Sequence, residues 1–280
     1  MLPALQRLTP SHLNRLYAEL LAYGRIEREG GLSARTVRYC HTILRRALAD
    51  AVRWNRLPRN VADSADPPTK NATTSTPMRT WTAEQLRAFL GSVRDDRLHT
   101  AYVLLASTGA RRGEILGLRW RDVDLDAARI SIRQTLVSVD YRAQFSEPKT
   151  AKGRRNVALD PATVSALREH AERQALERAI FGDAGLDLVF SEPDGSPLHP
   201  HQFSQAFKIR TKQAGLPTIR LHDLRHTYAT LALQAGVHPK VVSERLGHAS
   251  VSITLDTYSH AIPAMEETAA SLVAALFLGD

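Results

Sequence analysis

Apolar residues recur every three or four positions through residues 1–62, which is the spacing of one buried helix face. Thr9-Pro10-Ser11 is typical of a helix start, because a hydroxyl caps the first turn and proline fits within it. Gly30-Gly31 interrupts the pattern, and Ser33 can cap a second helix that ends near Trp54. The face that we expect this second helix to bury consists of Val37, Cys40, Ile43, Leu44 and Ala47.

A polar segment follows at residues 63–79, with three prolines and no apolar period, and we interpret it as a linker. The two helices before it bury little surface by themselves. We therefore expect either a further helix before residue 1 or a partner that covers the helix pair. The predicted organisation is a small helical domain (1–62), the linker, and a larger domain (80–280).

Helical patterning resumes at Trp81. Thr82 and Gln85 form a capping box, in which each residue's side chain can satisfy the other's backbone N–H. Helices are predicted from there to about Thr108, and a short helix is predicted over 112–118.

The following stretch has the pattern of a small sheet. Residues 129–138 alternate as a β-strand does, and residues 153–159 form a candidate partner strand. Asp160-Pro161 then starts another helix. From His201 onward the pattern is almost wholly helical, with short breaks at Gly215-Leu216-Pro217, Gly236 and Gly247. The predicted fold class is mainly α with a small antiparallel β-sheet.

The net charge of the chain indicates the class of partner that it binds. Lys and Arg number 37 against 29 Asp and Glu, which gives a net charge of +8. Only six of the 37 are lysine, so 31 are arginine. A basic surface binds polyanions by releasing their counterions, and a planar guanidinium matches phosphate. Nucleic acid is therefore a candidate partner, although an arginine-rich genome produces the same bias.

Several classes are excluded by composition. No stretch approaches the ~20 apolar residues of a membrane span, and MLPALQRLTP lacks the layout of a secretory signal. The single cysteine, Cys40, excludes an internal disulfide and a thiolate-rich zinc site. We expect a soluble cytoplasmic protein.

The stretch HDLRH, residues 222–226, has two histidines and an arginine whose role has three interpretations. His222 and His226, four residues apart on a helix, can share a metal ion. His222 and Arg225, three residues apart, can share a phosphate at a helix start. A zinc protease needs glutamate directly after the first histidine, and Asp223 stands there instead. The third interpretation is a helix start with solvated polar residues.

A second stretch, STGARRGEILGLRW at residues 107–120, places an arginine at a helix boundary. Arg111 follows the turn at Gly109, and Glu114 lies one helical turn later. A third stretch, LGHASVSITLDTYSH at residues 246–260, supplies a histidine after a glycine and a tyrosine ten residues later.

The three stretches together resemble the catalytic signature of the phage-integrase family of tyrosine recombinases. That signature is an arginine in a TGxRxxE block, then HxxR, then LGH, then a tyrosine about ten residues on. The resemblance is strong over residues 80–265. It is looser over residues 1–62, which would belong to a helical core-binding domain of the SAM-like type. The implied activity is transesterification of a DNA phosphodiester through a 3′-phosphotyrosine bond, with no metal or other cofactor.

The resemblance also implies a role for each residue. Arg111 and Arg225 are expected to hydrogen-bond the non-bridging phosphate oxygens, where charge builds up, and His248 to add a donor. Tyr258 is the expected nucleophile. Its phenol has a pKa of ~10, so it needs a base near neutral pH, and His222 is the expected acceptor of its proton.

The family's lysine lies on a hairpin, and SEPKTAKGRRNVAL at residues 146–159 resembles that hairpin. Lys149 is the expected general acid for the leaving 5′-oxygen, with Lys152 as the alternative. Glu114 is expected to support the site by orienting His222 or an arginine. His226 is interpreted as a packing or supporting residue.

The implied partner is double-stranded DNA at attachment-type sites. The C-terminal stretch 264–280 is expected to form a helix that docks on a neighbouring protomer in a homo-tetramer, or that packs on its own domain. An accessory bending or directionality protein is a further expected partner.

The leading hypothesis is a site-specific integrase that acts in integration or excision of a phage or mobile element. Relatives carry more sequence before the catalytic domain, so a truncated, catalytically silent DNA-binding remnant is the alternative. A DNA-relaxing enzyme of the type IB topoisomerase class and a zinc hydrolase are weaker alternatives. The residues do not encode the DNA target sequence.

Overall fold

The computed structural model describes residues 5–26, 29–69, 78–147, 153–182, 184–259, 271 and 273–278. The chain separates into two compact units, Met1–Pro77 and Met78–Asp280. The division falls inside the segment that was interpreted as a linker.

The first unit contains two helices, α1 (Pro10–Tyr23) and α2 (Ala34–Arg53). The predicted caps Thr9 and Ser33 are confirmed, because each side chain accepts a hydrogen bond from a backbone N–H of the first turn. A short 3-10 turn, Val61–Ser64, packs against both helices.

The buried face of α2 differs from the predicted one. Val37, Leu48 and Ala51 are buried, whereas Ile43 and Ala47 are exposed. The buried face is rotated because the small core also includes residues beyond the helix: Leu57, Val61 and Ala62.

The start of the predicted linker belongs to the first unit. Arg45 Nε donates to Asp63 at 2.6 Å, and the backbone N–H of Asp66 donates to Asn14 Oδ1 at 2.8 Å. These two polar contacts attach the start of the segment to the helices of the first unit. Residues 70–77 lie outside the described part of the chain.

The second unit begins with three helices: α3 (Ala83–Ser92), α4 (His99–Thr108) and α5 (Arg112–Leu116). The capping box of Thr82 and Gln85 is confirmed. The chain leaves the helix between α3 and α4, where Asp96 Oδ1 accepts the N–H of Leu98, the residue before α4, at 2.8 Å.

In the part of the chain that the structure describes, five short strands follow: β1 (Val123–Asp124), β2 (Arg129–Ile132), β3 (Thr135–Val139), β4 (Arg142–Ser146) and β5 (Arg155–Ala158). They form two antiparallel sheets, one in the order β1-β2-β5 and the other of β3 and β4. The predicted partner strand is confirmed, with Ile130 opposite Val157.

The single strand predicted over 129–138 is two strands in different sheets. The chain changes sheet at Arg133-Gln134, where Gln134 Nε2 donates to the carbonyl of Gly117 at 2.8 Å. Alternation continues across that junction, so periodicity alone does not reveal it.

Five further helices follow in residues 153–259 as described: α6 (Pro161–Phe181), α7 (Pro200–Gln213), α8 (Asp223–Gln234), α9 (Pro239–Leu246) and α10 (Val251–Tyr258). Asp160 caps α6 as predicted, and the breaks near residues 215, 236 and 247 are confirmed. Within the described residues, no helix is both long and apolar enough to cross a bilayer.

Two clusters of buried side chains organise the second unit. The main core is rich in aromatic rings: Trp81, Phe89, Tyr102, Phe203 and Phe207. A smaller cluster joins α8, α9 and α10 through Ala229, Leu233, Val242, Leu246 and Tyr258. The smaller cluster sets the end of α10 beside α8.

Candidate active site

Gly109 ends α4 and allows α5 to begin immediately after Arg111. Its φ is +64°, in the left-handed region, and a Cβ there would lie 2.5 Å from a Tyr228 ring carbon and 2.6 Å from Leu246 Cδ2. A larger residue would be both strained and in collision. Arg111 precedes the first turn of α5 and keeps 44% of its side chain exposed.

Glu114 is buried and binds two arginines. It accepts from the backbone N–H and Nη1 of Arg111 at 2.8 and 2.9 Å, and from Nη1 and Nη2 of Arg155 at 3.1 and 2.8 Å. Burial by itself raises the pKa of Glu114, but the hydrogen bonds and charges of Arg155 and then Arg111 outweigh it and lower that pKa. These hydrogen bonds of Glu114 run to arginines rather than to His222.

Arg225 lies in the first turn of α8 and is 4% exposed. Its Nη1 donates to the carbonyl of Gly109 and its Nη2 to that of Leu246, each at 2.8 Å. Both carbonyls are at helix ends, where they lack a partner within the helix. Burial, followed by the charge of Arg111, lowers the pKa of Arg225 to about 10. The guanidinium is therefore still charged at neutral pH.

His222 stands directly before α8. Burial and then the charge of Arg225 lower its pKa, so the ring is neutral at neutral pH. A neutral imidazole can accept a proton. The ring lies edge-on to His226, with 5.1 Å between centroids.

His248 follows Gly247, which ends α9 with a left-handed φ of +67°. Its Nδ1 lies 2.8 Å from the hydroxyl of Thr254 on α10. When Nδ1 accepts that hydroxyl proton, the neutral ring carries its hydrogen on Nε2, which makes Nε2 a donor. Burial first, and then the charges of Arg225 and Arg111, lower the pKa of His248 to about 4.

Tyr258 is the last residue of α10 and is fully buried. Its hydroxyl lies 2.7 Å from Nδ1 of His226, and the two rings are 5.7 Å apart. Burial raises the pKa of Tyr258 to about 12, against a smaller lowering by the charge of Arg225. Burial likewise lowers the pKa of His226 to about 4, so the phenol donates to a neutral imidazole.

Three of these side chains share one location. Gly247 O accepts from Arg111 Nη2 at 3.4 Å, Leu246 O accepts from Arg225, and His248 comes next in the chain. Arg111, Arg225 and His248 are called the anion cradle below. Two guanidinium groups and a ring N–H at one place are suited to an anion with several oxygen atoms, such as a phosphate.

Lys149 and Lys152 lie outside the described residues. The chain on either side of them is described: β4 ends at Ser146 and β5 begins at Arg155. A groove of about 700 Å³ lies beside these strands, and four arginines line it: Arg119, Arg133, Arg154 and Arg155.

Two residues at the site were not predicted to have these contacts. Arg155 binds Glu114, and its only sequence signal is its place in the hairpin pattern. His226, which was interpreted as a packing or supporting residue, contacts the Tyr258 hydroxyl. Among the described residues, no three His, Cys, Asp or Glu side chains are grouped so that they could hold a metal ion.

Comparison with known proteins gives the family. Residues 79–265 match the model of the phage integrase family. A tyrosine recombinase XerC-like protein of Caldanaerobacter subterraneus is 28% identical over 89% of this chain and 68% of its own length. The ICEBs1 integrase of Bacillus subtilis is 30% identical over 84% of this chain and 64% of its own length. The chain thus spans about two thirds of the length of these relatives.

Solved structures of similar fold include the Tn1549 transposon integrase in complex with a circular intermediate DNA. Its TM-score is 0.78 at 22% identity, over 96% of this chain and 86% of that one. XerH recombinase bound to a palindromic difH substrate has a TM-score of 0.68 at 22% identity, over 97% of this chain and 74% of that one. At such identities the likeness shows the fold. Since the family match covers more than half of the chain, the protein belongs to the phage integrase family.

Proposed function

We propose that the protein is a site-specific DNA strand transferase that cleaves and rejoins duplex DNA through a 3′-phosphotyrosine bond. The observation that carries the proposal is the anion cradle at the end of α9, with Tyr258 on the next helix packed in the same buried cluster as Leu246. A cradle and a phenol are the parts that this reaction needs.

In the proposed reaction, the Tyr258 oxygen attacks the scissile phosphorus and the bond from phosphorus to the 5′-oxygen breaks. Arg111 and Arg225 neutralise the charge that develops on the non-bridging oxygens, which is the largest electrostatic demand of phosphoryl transfer. Lys149 donates a proton to the leaving 5′-oxygen. The energy of the bond is kept in the phosphotyrosine, so attack by another 5′-hydroxyl reseals the strand.

The Tyr258 proton needs an acceptor, because a phenol with a pKa of about 12 is protonated at neutral pH. His222 is the proposed acceptor, and its lowered pKa keeps it neutral and able to take a proton. In the structure the phenol donates to His226. Tyr258 must therefore leave His226 and its buried position before it attacks.

Duplex DNA is the proposed substrate. The groove lined by four arginines runs along β2 and β5, and the net charge of +8 favours a polyanion. The first unit is proposed to act as the core-binding domain. Contacts with phosphates position a protein on DNA without reading sequence, so the groove accounts for affinity rather than for site choice.

A homo-tetramer on DNA is the proposed assembly. Residues 273–278 are helical, and Leu276 and Phe277 expose 86% and 72% of their surface. Large exposed apolar side chains mark interaction surfaces, which supports docking of this helix on a neighbouring protomer. An accessory bending or directionality protein is proposed to take part.

The test is an assay for the covalent adduct. DNA from the junctions that flank the gene, with a nick near the cleavage point to trap the intermediate, is incubated with the protein in the presence of EDTA. We expect a protein–DNA band on denaturing gels that is absent with Tyr258→Phe. A salt-sensitive gel shift without any adduct would contradict the proposal and indicate a binding remnant.

A further inference from the structure

Three consecutive carbonyl groups at the end of α9 each accept a hydrogen bond from a different arginine. Arg155 Nε donates to the carbonyl of Arg245 at 2.6 Å. The next two carbonyls, those of Leu246 and Gly247, accept from the two arginines of the anion cradle. Arg155 is therefore the third member of a row whose other two members belong to the proposed site.

The C-terminal end of α9 is suited to binding several arginines. The last carbonyls of a helix lack partners within it and carry the negative end of the helix dipole, so they attract cations. The left-handed Gly247 turns the chain directly afterwards and leads into His248. Arginine can use one nitrogen on such a carbonyl and direct the others elsewhere, which lysine cannot do with its single ammonium group.

Arg155 uses its other two nitrogens on Glu114, at 3.1 and 2.8 Å. Glu114 also binds Arg111, so the carboxylate stands between a buried arginine and a partly exposed one. The side chain of Arg155 is 8% exposed, whereas that of Arg111 is 44% exposed. Arg155 is the interior anchor of this chain of ion pairs, and Arg111 is the end that faces outward.

The position of Arg155 in the fold adds a second link. It is the first residue of β5, which pairs with β2, and it follows Lys149 and Lys152 closely in the chain. From the start of β5, the side chain of Arg155 thus contacts both Glu114, which binds Arg111, and a carbonyl at the end of α9.

On the basis of the proposed function, we propose that Arg155 is a positioning residue for DNA cleavage. It orients Arg111 through Glu114 and fixes the end of α9 on which the anion cradle is built. It does not itself contact the reacting phosphate.

The second unit contains a matched control. Arg97 donates two hydrogen bonds to Glu177, at 2.8 and 2.7 Å, and a third to the carbonyl of Ser191 at 2.6 Å. It therefore makes the same kinds of contact as Arg155, but with none of the anion cradle residues. Arg155→Lys and Arg97→Lys each keep the positive charge and lose the planar fork.

The experiment measures single-turnover adduct formation on two substrates. One has an ordinary phosphodiester at the scissile position, and the other has a methylphosphonate, which is uncharged and has less need of arginine. We expect Arg155→Lys to slow the reaction about 100-fold on the phosphodiester, as misplacement of a supporting group can do. On the methylphosphonate we expect the defect to shrink to less than about tenfold, as also expected for Arg111→Ala. We expect Arg97→Lys to stay within about threefold of wild type on both substrates.

A defect of equal size on both substrates would overturn the inference, because a general structural loss does not depend on phosphate charge. Wild-type rates for Arg155→Lys would also overturn it. If the wild-type protein forms no adduct, the proposed function fails, and nitrogen-15 NMR of the DNA-free protein then decides the inference. Restricted rotation of the Arg111 guanidinium, lost in Arg155→Lys and kept in Arg97→Lys, supports it, whereas unchanged rotation in Arg155→Lys overturns it.

Discussion

The two arginines of the anion cradle and helix α10, which carries the proposed nucleophile Tyr258, are held in different ways. Arg111 and Arg225 donate to backbone carbonyls at the ends of α4 and α9. Helix α10 is joined to the site histidines by two hydrogen bonds between side chains, from Tyr258 to His226 and between Thr254 and His248. The two arginines of the cradle are thus attached to the helical framework, whereas Tyr258 and Thr254 of α10 are attached to histidine side chains.

The difference matches what each part has to do. Charge stabilisation is effective when the donors are already oriented before reaction, because reorganisation then costs nothing. In the proposed reaction Tyr258 forms and releases a covalent bond, and it must therefore move, because its side chain is fully buried. The site combines arginines that are fixed by backbone contacts with a proposed nucleophile that is held by side chains. The following predictions test each part.

The largest effect is expected from Arg225→Lys. An ammonium group cannot reach the carbonyls of Gly109 and Leu246 and also present a planar fork to a phosphate. We expect single-turnover adduct formation to fall about 1,000-fold, with DNA affinity changed by less than about threefold. Quenched-flow kinetics and gel shifts measure the two quantities. A loss smaller than tenfold would show that the fixed contacts of the cradle are not needed.

Glu114→Gln should weaken the anion cradle, because Glu114 holds Arg111 in place. Removal of one partner of a buried ion pair leaves the other uncompensated, which costs about 3 kcal/mol or more. We expect that loss in the free energy of unfolding by urea, with slower adduct formation. Glu177→Gln is the control, because Glu177 also pairs with an arginine, Arg97, away from the cradle. It should reduce stability without changing the chemical step of native protein, and equal kinetic losses in both variants would contradict the prediction.

His226→Phe should loosen helix α10 and leave the anion cradle in place. The substitution keeps an aromatic ring and removes the acceptor of the Tyr258 hydroxyl, a hydrogen bond worth about 1 kcal/mol net. We therefore expect amide hydrogen exchange of residues 251–258 to rise about fivefold, with α8 and α9 unchanged. Exchange measured by mass spectrometry after peptic digestion would detect this. An equal increase in α8, α9 and α10 would contradict the prediction, because it would mean that α10 is held as firmly as the other two helices.

The remaining prediction concerns the dependence of stability on pH. Burial, with neighbouring cations, lowers the pKa of His226 and His248 to about 4, below the 6.5 of an unperturbed histidine. Between pH 6.5 and 4 the unfolded chain therefore binds protons that the folded chain does not, and stability falls as pH falls through this window. Urea midpoints at pH 7.5, 6 and 5 should decrease in that order. The fall should be shallower in His226→Phe, and an equal slope in both proteins would contradict the assignment.

Local patterns gave reliable predictions where neighbouring residues decide the structure. The caps at Thr9, Ser33, Thr82 and Asp160 were predicted correctly because a cap involves residues within one turn. The strand over 129–138 was predicted wrongly because its division between two sheets depends on a contact with Gly117, far back in the chain. The buried face of α2 was misplaced for the same reason, since residues after the helix complete that core.

The sequence by itself determined the family signature, the order of its four blocks and most helix boundaries, because these are properties of residue identity and short-range spacing. Only the tertiary structure decided that Arg155 and Glu114 are joined, although 41 residues separate them, and that His226 meets Tyr258 across 32 residues. Such pairings depend on how helices and strands pack, because packing decides which groups come within the hydrogen-bonding distance of about 3 Å. The chemistry of each residue could therefore be predicted from the chain, whereas the residues that hold each one in place could not.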